Sequence, residues 1–469
     1  MTTTNAGQEL AASITREISG LKVVTDDAAI EARSRDYWMR SLLQSRVDGA
    51  PKAAVVVRPT SAAQVAAVLA FADRTRTPVI PFGLGSGVCG AVLASGNEIV
   101  LDVSRMDRIL EINEESLTVR VEPGMRGSDF EEALAARGYT MGHWPQSIGI
   151  SSVGGWCATR ASGQYSTLYG NIEQMLLGCE VALPSGRVMK LPSVPRSATG
   201  PDLKHLFLGS EGTLGVFTEL TFRIHPAAAK KVGRAYSMPT LRSGLEALRL
   251  ILRAGWTPAV TRLYDATEAG RNFAVTADGN PVLLVMSEGE AARVDTEAAA
   301  MAAVITAQGG IDRGEEPVLS WLDHRNHVPS FEKLLSQGLV ADTIEVAIGW
   351  DRIGDLFETV NARGGALEGV FAMSGHVSHC YTQGANIYFT FVAAEADPRA
   401  AIAIYDRAWR TTIETTIELG GTIAHHHGIG RVRKEWLRQE LGEGVALLTA
   451  LKRAFDPNGI MNPGALVDV

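Results

Sequence analysis

Cysteine is scarce in this chain: Cys89, Cys157, Cys179 and Cys380 are the only four among 469 residues. They are too few and too scattered for a disulfide framework, which excludes the small stapled secreted folds. Long apolar runs are missing as well. No stretch of about 18 apolar residues exists, so no spanning helix is expected. Clustered positive charge is the third absence. The net charge is −8, and the densest basic group, Arg431, Arg433 and Lys434, is followed at once by Glu435. That excludes nucleic acid as the main partner. The opening Met1-Thr2-Thr3-Thr4-Asn5 lacks the basic-then-apolar layout of an export signal, and Val467-Asp468-Val469 is no recognised address. A reduced, cytoplasmic protein is the expectation. With 46% hydrophobic and 20% charged residues, the chain is not a disordered one. A single core rarely grows past about 300 residues, so at least two domains are expected.

What is plentiful is glycine. There are 48, about a tenth of the chain against a usual ~7%. From residue 53 the pattern alternates between strands and helices. Residues 54–57 read as a strand, and Ser61 as the N-cap of a helix Ala62–Thr75 with Val65, Val68, Leu69 and Ala72 on one face. Further strands are expected at residues 78–81, 99–103, 117–121, 179–183 and 215–224. Before them, residues 1–50 read as a helical lead-in. After Pro226 the glycine content falls and the pattern turns more helical, with strands near 282–286, 343–348 and 387–392. From Gly420 the glycine and histidine loops return. The expected division is 51–228, 229–420, and a segment 421–469 running back to the first domain.

The first glycine loop is Pro81-Phe82-Gly83-Leu84-Gly85-Ser86-Gly87-Val88-Cys89-Gly90. It contains a literal G-x-G-x-x-G, but the residues after it are too short and broken for the helix that a Rossmann motif requires. A backbone nest, in which several N–H groups converge on a phosphate, fits better than that motif or an ordinary tight turn. A second stretch from Gln146 to Gly163 and a third from Gly209 to Val216 are also poor in bulky side chains. Three such segments suit a large ligand lying against backbone, and a dinucleotide fits.

Read together, Ser152-Val153-Gly154-Gly155-Trp156, Thr159-Arg160-Ala161-Ser162-Gly163, Tyr169-Gly170-Asn171-Ile172-Glu173, Gly209-Ser210-Glu211-Gly212-Thr213-Leu214-Gly215-Val216 and His425-His426-His427-Gly428-Ile429-Gly430 resemble the FAD-linked oxidases of the vanillyl-alcohol-oxidase or PCMH type. The likeness is nearest to the alkyldihydroxyacetonephosphate synthase branch and its bacterial relatives. It implies an α+β fold: a PCMH-type FAD-binding domain of two subdomains, plus a cap or substrate domain with an antiparallel sheet. It also implies FAD-contacting roles for Pro81, Phe82, Gly83, Leu84, Gly85, Ser86 and Gly87. The same role is implied for Gln146, Ser147, Ile148, Ser151, Ser152, Gly155, Thr159, Arg160, Ala161 and Ser162, and for Glu211, Gly212, Gly215 and Val216. Neither His143 nor Cys157, the nearby candidates for attachment, sits in a covalent pattern, so FAD is expected to be non-covalent.

Tyr388 matches the family tyrosine that handles a substrate proton. A phenol beside a flavin takes that role if burial or a cation lowers its pKa from ~10; otherwise it is an ordinary core tyrosine. His425, His426 and His427 suit stabilisation of negative charge and proton handling, and His376 is a further catalytic candidate. In an extended segment His425 and His427 face one way and His426 the other. His376 and His379, with one of the three, also offer a three-nitrogen metal set, although the spacing around them departs from the metal-binding pattern and no metal is assigned. The synthase branch carries an arginine near the position of Phe331-Glu332-Lys333 and another where this chain has His376, which leaves Lys333 or Arg325 as stand-ins. The expected activity is FAD-dependent hydride removal from a hydroxyl-bearing carbon of a small molecule, a 2-hydroxy acid or another alcohol, with oxygen or a redox partner as acceptor. An alkylglycerone-phosphate synthase-type transfer without net redox is the alternative. The resemblance leaves a homodimer open.

Overall fold

The computed structural model describes residues 3–273 and 278–468. Three main sheets organise them. The first has four strands in the order Lys22–Val24, Val55–Arg58, Ile99–Asp102, Val79–Phe82. Its last three strands are parallel, and helix Ala62–Thr75 makes the crossover between Val55–Arg58 and Val79–Phe82. Ser61 caps that helix by accepting from the Gln64 amide at 3.3 Å. Val65, Val68, Leu69, Phe71 and Ala72 are buried along it, where each large aliphatic side chain contributes about 1.5–3 kcal/mol.

Residues 1–50 do more than lead in. Helix Thr3–Glu17 buries Ile14 against the first sheet, and Lys22–Val24 adds an antiparallel edge strand. Helix Met39–Asp48 places Met39, Leu42 and Leu43 in a different core, together with Leu248, Ile344 and Phe391. Trp38 Nε1 donates to Tyr405 Oη there at 3.1 Å. The polar composition of this stretch hides a few apolar side chains that reach two separate cores.

The second sheet is antiparallel, with strands Ile109–Asn113, Thr118–Val121, Val216–Arg223, Leu176–Ala182 and Val188–Leu191 in that order. The third has seven strands: Ile311–Asp312, Lys230–Ser237, Val282–Gly289, Val260–Tyr264, Val370–Val377, Gly384–Ala394 and Leu339–Gly349. All its pairings are antiparallel. Strand side chains alternate between faces. On Val282–Gly289, Leu283 and Val285 join the core under the helices Leu241–Arg253, Ala291–Ala307 and Ile353–Gly365, while Val282, Leu284 and Met286 join the core shared with the second sheet. The seven-stranded sheet is therefore covered on both faces. No helix among the described residues is long and apolar enough to cross a membrane.

The last segment returns to the first sheet. Val79 donates to Ile460 O at 2.7 Å, and Asn462 donates to Val79 O at 2.8 Å. Lys452 Nζ, buried, donates to Thr213 O at 2.9 Å and Met461 O at 2.7 Å, and pairs with Asp456.

Candidate active site

The first sheet, the second sheet and the seven-stranded sheet meet around one continuous cleft. One end is walled by residues 81–87, which follow the strand Val79–Phe82 without forming a helix. Gly85 needs its missing side chain: its φ is +75° and a Cβ would lie 2.8 Å from the Phe82 ring. Backbone from the N-terminal segment holds this loop, with Tyr37 N donating to Gly87 O at 2.7 Å and Asp36 N to Val92 O at 3.0 Å. Asp36 itself lines the cleft, and burial raises its pKa to about 7.

Of the residues expected to contact the cofactor, all of 81–87 line the cleft, as do Gln146, Ser147, Ser151, Ser152, Gly155, Thr159, Ala161, Ser162, Glu211, Gly212, Gly215 and Val216. Ile148 and Arg160 do not. Ile148 is buried in the core beneath, beside the position a Gly127 side chain would take. Arg160 caps helix Val153–Thr159 in a left-handed conformation and reaches out to Glu173 at 3.2 Å. Glu211 lines the cleft, yet its carboxylate accepts from Ile429 N at 2.6 Å and Gly430 N at 2.8 Å. Burial raises its pKa to about 7. It joins the C-terminal segment to the third glycine stretch. Small side chains are recognisable in sequence; which side of the backbone they serve is a matter of tertiary packing.

The opposite end of the cleft is a row of side chains across four adjacent strands. Tyr264 pairs with His376, His376 with Tyr388, and Tyr388 with Glu345. Cross-strand partners share a face, so the His376 ring stacks on Tyr388 at 4.8 Å and on Tyr264 at 5.1 Å. Arg262, two residues before Tyr264, lines the cleft in the same row. It donates to Tyr264 Oη at 2.7 Å and to His376 Nε2 at 2.9 Å. His376 Nδ1 then faces buried Glu268 Oε2 at 2.7 Å. Burial holds the His376 pKa below its ordinary value, despite Glu268. Neutral His376 thus accepts from arginine and donates to glutamate. Sequence reading missed Arg262 and Glu268; the signal was a charged residue inside an otherwise apolar strand, Val260-Thr261-Arg262-Leu263-Tyr264. Lys333 does not line the cleft, and the Arg325 guanidinium lies over Trp144, Tyr165 and Trp321 instead. Among the described residues, the cation that lines the cleft is Arg262.

At the edge of this row the chain bends. Thr422 bridges Ala347 on the outer strand, and Glu345 on that strand accepts from the amides of His425, His426 and His427. Arg433 completes the carboxylate's partners at 2.9 Å. Three amides converging on one carboxylate require a bend, so the strand-like alternation expected for the histidines does not hold. His426 and His427 both line the cleft, and His425 sits behind them. Tyr388 Oη lies 2.6 Å from His426 Nε2 and 3.4 Å from His379 Nε2. His379 Nδ1 faces Ser166 Oγ at 2.8 Å.

Burial, reinforced by the Glu345 charge, pushes the Tyr388 pKa up rather than down, against the pull of Arg262. Burial also depresses the histidines: His425 to about 4, His427 to about 3, and His426 and His379 well below the ordinary value. The phenol is protonated and its imidazole neighbours are neutral bases. His376 is spent on Arg262 and Glu268, so it does not group with His379 as a metal set. Glu345, His425 and His426 do bring ligand atoms within 4.8 Å of one another, but those atoms are already engaged with backbone amides, Arg433 and each other.

Two family models match the chain, that of an FAD binding domain over residues 53–192 and that of the C-terminal domain of FAD linked oxidases over residues 229–466. An uncharacterized FAD-linked oxidoreductase of Escherichia coli (strain K12), YgcU, is 33% identical over 97% of this chain and 97% of its own. The alkyldihydroxyacetonephosphate synthase of Caenorhabditis elegans is 30% identical over 88% of this chain and 76% of its own. A solved alkyldihydroxyacetonephosphate synthase structure shares the fold, with a TM-score of 0.81 at 24% identity over 99% of this chain and 85% of that one.

Proposed function

Because the chain belongs to the FAD-linked oxidase family, we propose that this FAD-dependent enzyme oxidises the hydroxyl-bearing carbon of a small anionic alcohol, in the first instance a 2-hydroxy acid. The observation that carries this reading is Arg262 beside the Tyr388–His426 pair. A carboxylate held by Arg262 brings a neighbouring hydroxyl toward Tyr388 Oη, and charge-assisted hydrogen bonds of this kind contribute about 1.5–3 kcal/mol. When bound, FAD supplies the acceptor for the hydride. The glycine-lined wall of residues 81–87 and 146–162 suits its backbone-hugging pyrophosphate and ring. Gln164 Oε1, a buried polar atom of a cleft-lining residue, has no hydrogen-bond partner and suits a polar cofactor. Tyr388 takes the substrate hydroxyl proton while passing its own to His426, so no phenolate has to persist in a buried site.

An anaerobic screen of 2-hydroxy acids and neutral alcohols, read as loss of oxidised-flavin absorbance, tests the reading. Bleaching by a 2-hydroxy acid is expected, and Arg262→Lys should cost roughly 10–100-fold in kcat/KM for that acid. Bleaching by neutral alcohols alone would remove the role of Arg262. The synthase relatives favour a second reading, transfer without net redox. Exchange of an acyl for an alkyl chain with no bleaching would establish that reading instead.

A further inference from the structure

The hydrogen-bonded chain that starts at Tyr388 does not stop at His426. His426 Nδ1 lies 2.7 Å from His425 Nδ1, and His425 Nε2 lies 2.7 Å from Tyr381 Oη. Tyr381 Oη meets both ends of the Asn171 amide, Nδ2 at 2.9 Å and Oδ1 at 3.3 Å. His425, Tyr381 and Asn171 are all outside the cleft lining. Tyr381 is partly exposed, and Thr382 and Gln383 beside it are exposed. The chain therefore runs from the cleft wall to the part-exposed Tyr381, where Asn171 Oδ1 also accepts from the cleft-lining Ser162 Oγ at 2.7 Å.

Its geometry constrains its protons. Two ring nitrogens facing each other at hydrogen-bond distance must be one N–H and one lone pair, so the two imidazoles hold complementary tautomers. Every link then points the same way, wholly outward or wholly inward. Asn171 can terminate either arrangement, because it offers Tyr381 a donor and an acceptor. Glu345 fixes the backbone of both histidines, so the facing nitrogens are built in. Both rings are kept neutral by burial, as a relay that stores no charge requires.

We propose that Tyr388, His426, His425 and Tyr381 form a proton relay joining the cleft to the surface beside Thr382. From the outward arrangement, the substrate hydroxyl proton bonds to Tyr388 Oη as the Tyr388 proton moves to His426 Nε2. The His426 Nδ1 proton moves to His425 Nδ1, the His425 Nε2 proton to Tyr381 Oη, and the Tyr381 proton leaves to water. One proton enters and one leaves, every member ends neutral, and no electrons move along the chain. Resetting the outward arrangement without carrying that proton back takes transfer of each ring's proton to its other nitrogen, by exchange with water or a ring flip, between turnovers. The relay stands on the geometry; only the identity of the proton that enters it rests on the function proposed above.

The test uses FAD-loaded protein labelled with ¹⁵N-histidine, in wild type and Tyr381→Phe, with resonances assigned from His425→Asn and His426→Asn. Complementary tautomers are expected for His425 and His426. Tyr381→Phe should move the ring-nitrogen resonances of His426, which it does not touch, as well as those of His425. Matching tautomers, or a His426 indifferent to Tyr381→Phe, would overturn the relay with no substrate needed. With whichever alcohol bleaches the flavin, Tyr381→Phe should slow bleaching at least about tenfold and turn a curved solvent proton inventory into a linear one. Unchanged rate and inventory would show that the chain is wired but carries no catalytic proton. Circular dichroism and flavin content guard against a folding defect, which would alter neither tautomers nor inventory selectively.

Discussion

Glu345 and Arg433 form a fully buried ion pair at 2.9 Å in which neither side chain has any exposed surface. Because the same carboxylate holds the amides of His425, His426 and His427, the pair sets both the fold of the C-terminal segment and the aim of the histidines. Glu345→Gln keeps the shape and removes the charge. Unfolding free energy should fall by about 3–5 kcal/mol, the usual result of leaving one member of a buried pair alone. Denaturant unfolding read by circular dichroism measures it. A loss below about 1 kcal/mol, the size seen for exposed pairs, would mean that water reaches Arg433.

Tyr388→Phe should leave folding and flavin content intact while flavin reduction slows by at least about a hundredfold. A core tyrosine would instead cost about 1 kcal/mol of stability with no change in rate. In the wild type, the neutral histidines set the pH profile. With His425 depressed to about 4 and His426 lower than ordinary, reduction should stay level as pH falls through 6.5, where an exposed histidine base would already be lost. A stopped-flow profile with a midpoint near 6.5 would contradict the burial of these rings.

His143 is buried against Trp156 at 4.7 Å, and neither of its ring nitrogens has a partner. Burial lowers its pKa to about 3. The unfolded chain takes up a proton there below about 6.5 while the folded chain refuses it, so the histidine costs stability progressively as pH falls. His143→Phe should abolish that cost. Relative to wild type, the variant should gain about 2 kcal/mol more at pH 5 than at pH 7. Denaturant midpoints at the two pH values decide it; an equal gain at both would place a proton acceptor next to the ring.

Gly85→Val should give folded, largely colourless protein, since a β-branched residue is strained at φ +75° and its Cβ meets Phe82. Acid precipitation of wild type should leave all flavin in the supernatant, because His143 and Cys157 both lie off the cleft lining. Full colour in Gly85→Val would remove the loop from the cofactor's path.

Local properties were the legible ones. A missing side chain is a fact about one residue, so the glycine segments announced a backbone-lined cleft, and Tyr388 and the histidines stood out by type. Partnership across strands depends on register. Nothing near Arg262 in sequence points to Glu268 or His376, and nothing near Glu345 points to a loop some eighty residues later. Ile148 and Arg160 show the same limit: one residue's turn of the backbone decides between ligand, core and solvent. The direction of the Tyr388 pKa was likewise out of reach, because it depends on how completely Arg262 is outweighed by burial.

Residue 461 completes the open edge of the first sheet by pairing with Val79, and Asn462 Nδ2 ties the third glycine stretch through Glu211 O at 2.6 Å. On a ribosome these partners are far apart in time. At about 5–20 residues per second, the roughly 380 residues between them take some 20–80 s to make. Through that interval the strand Val79–Phe82 presents an unpaired edge, and the glycine loop that follows it has no C-terminal support. Stable flavin retention should therefore begin only after synthesis has passed residue 462, and the nascent chain must be kept from pairing that edge with a neighbour. The cofactor half of this protein is made first and finished last.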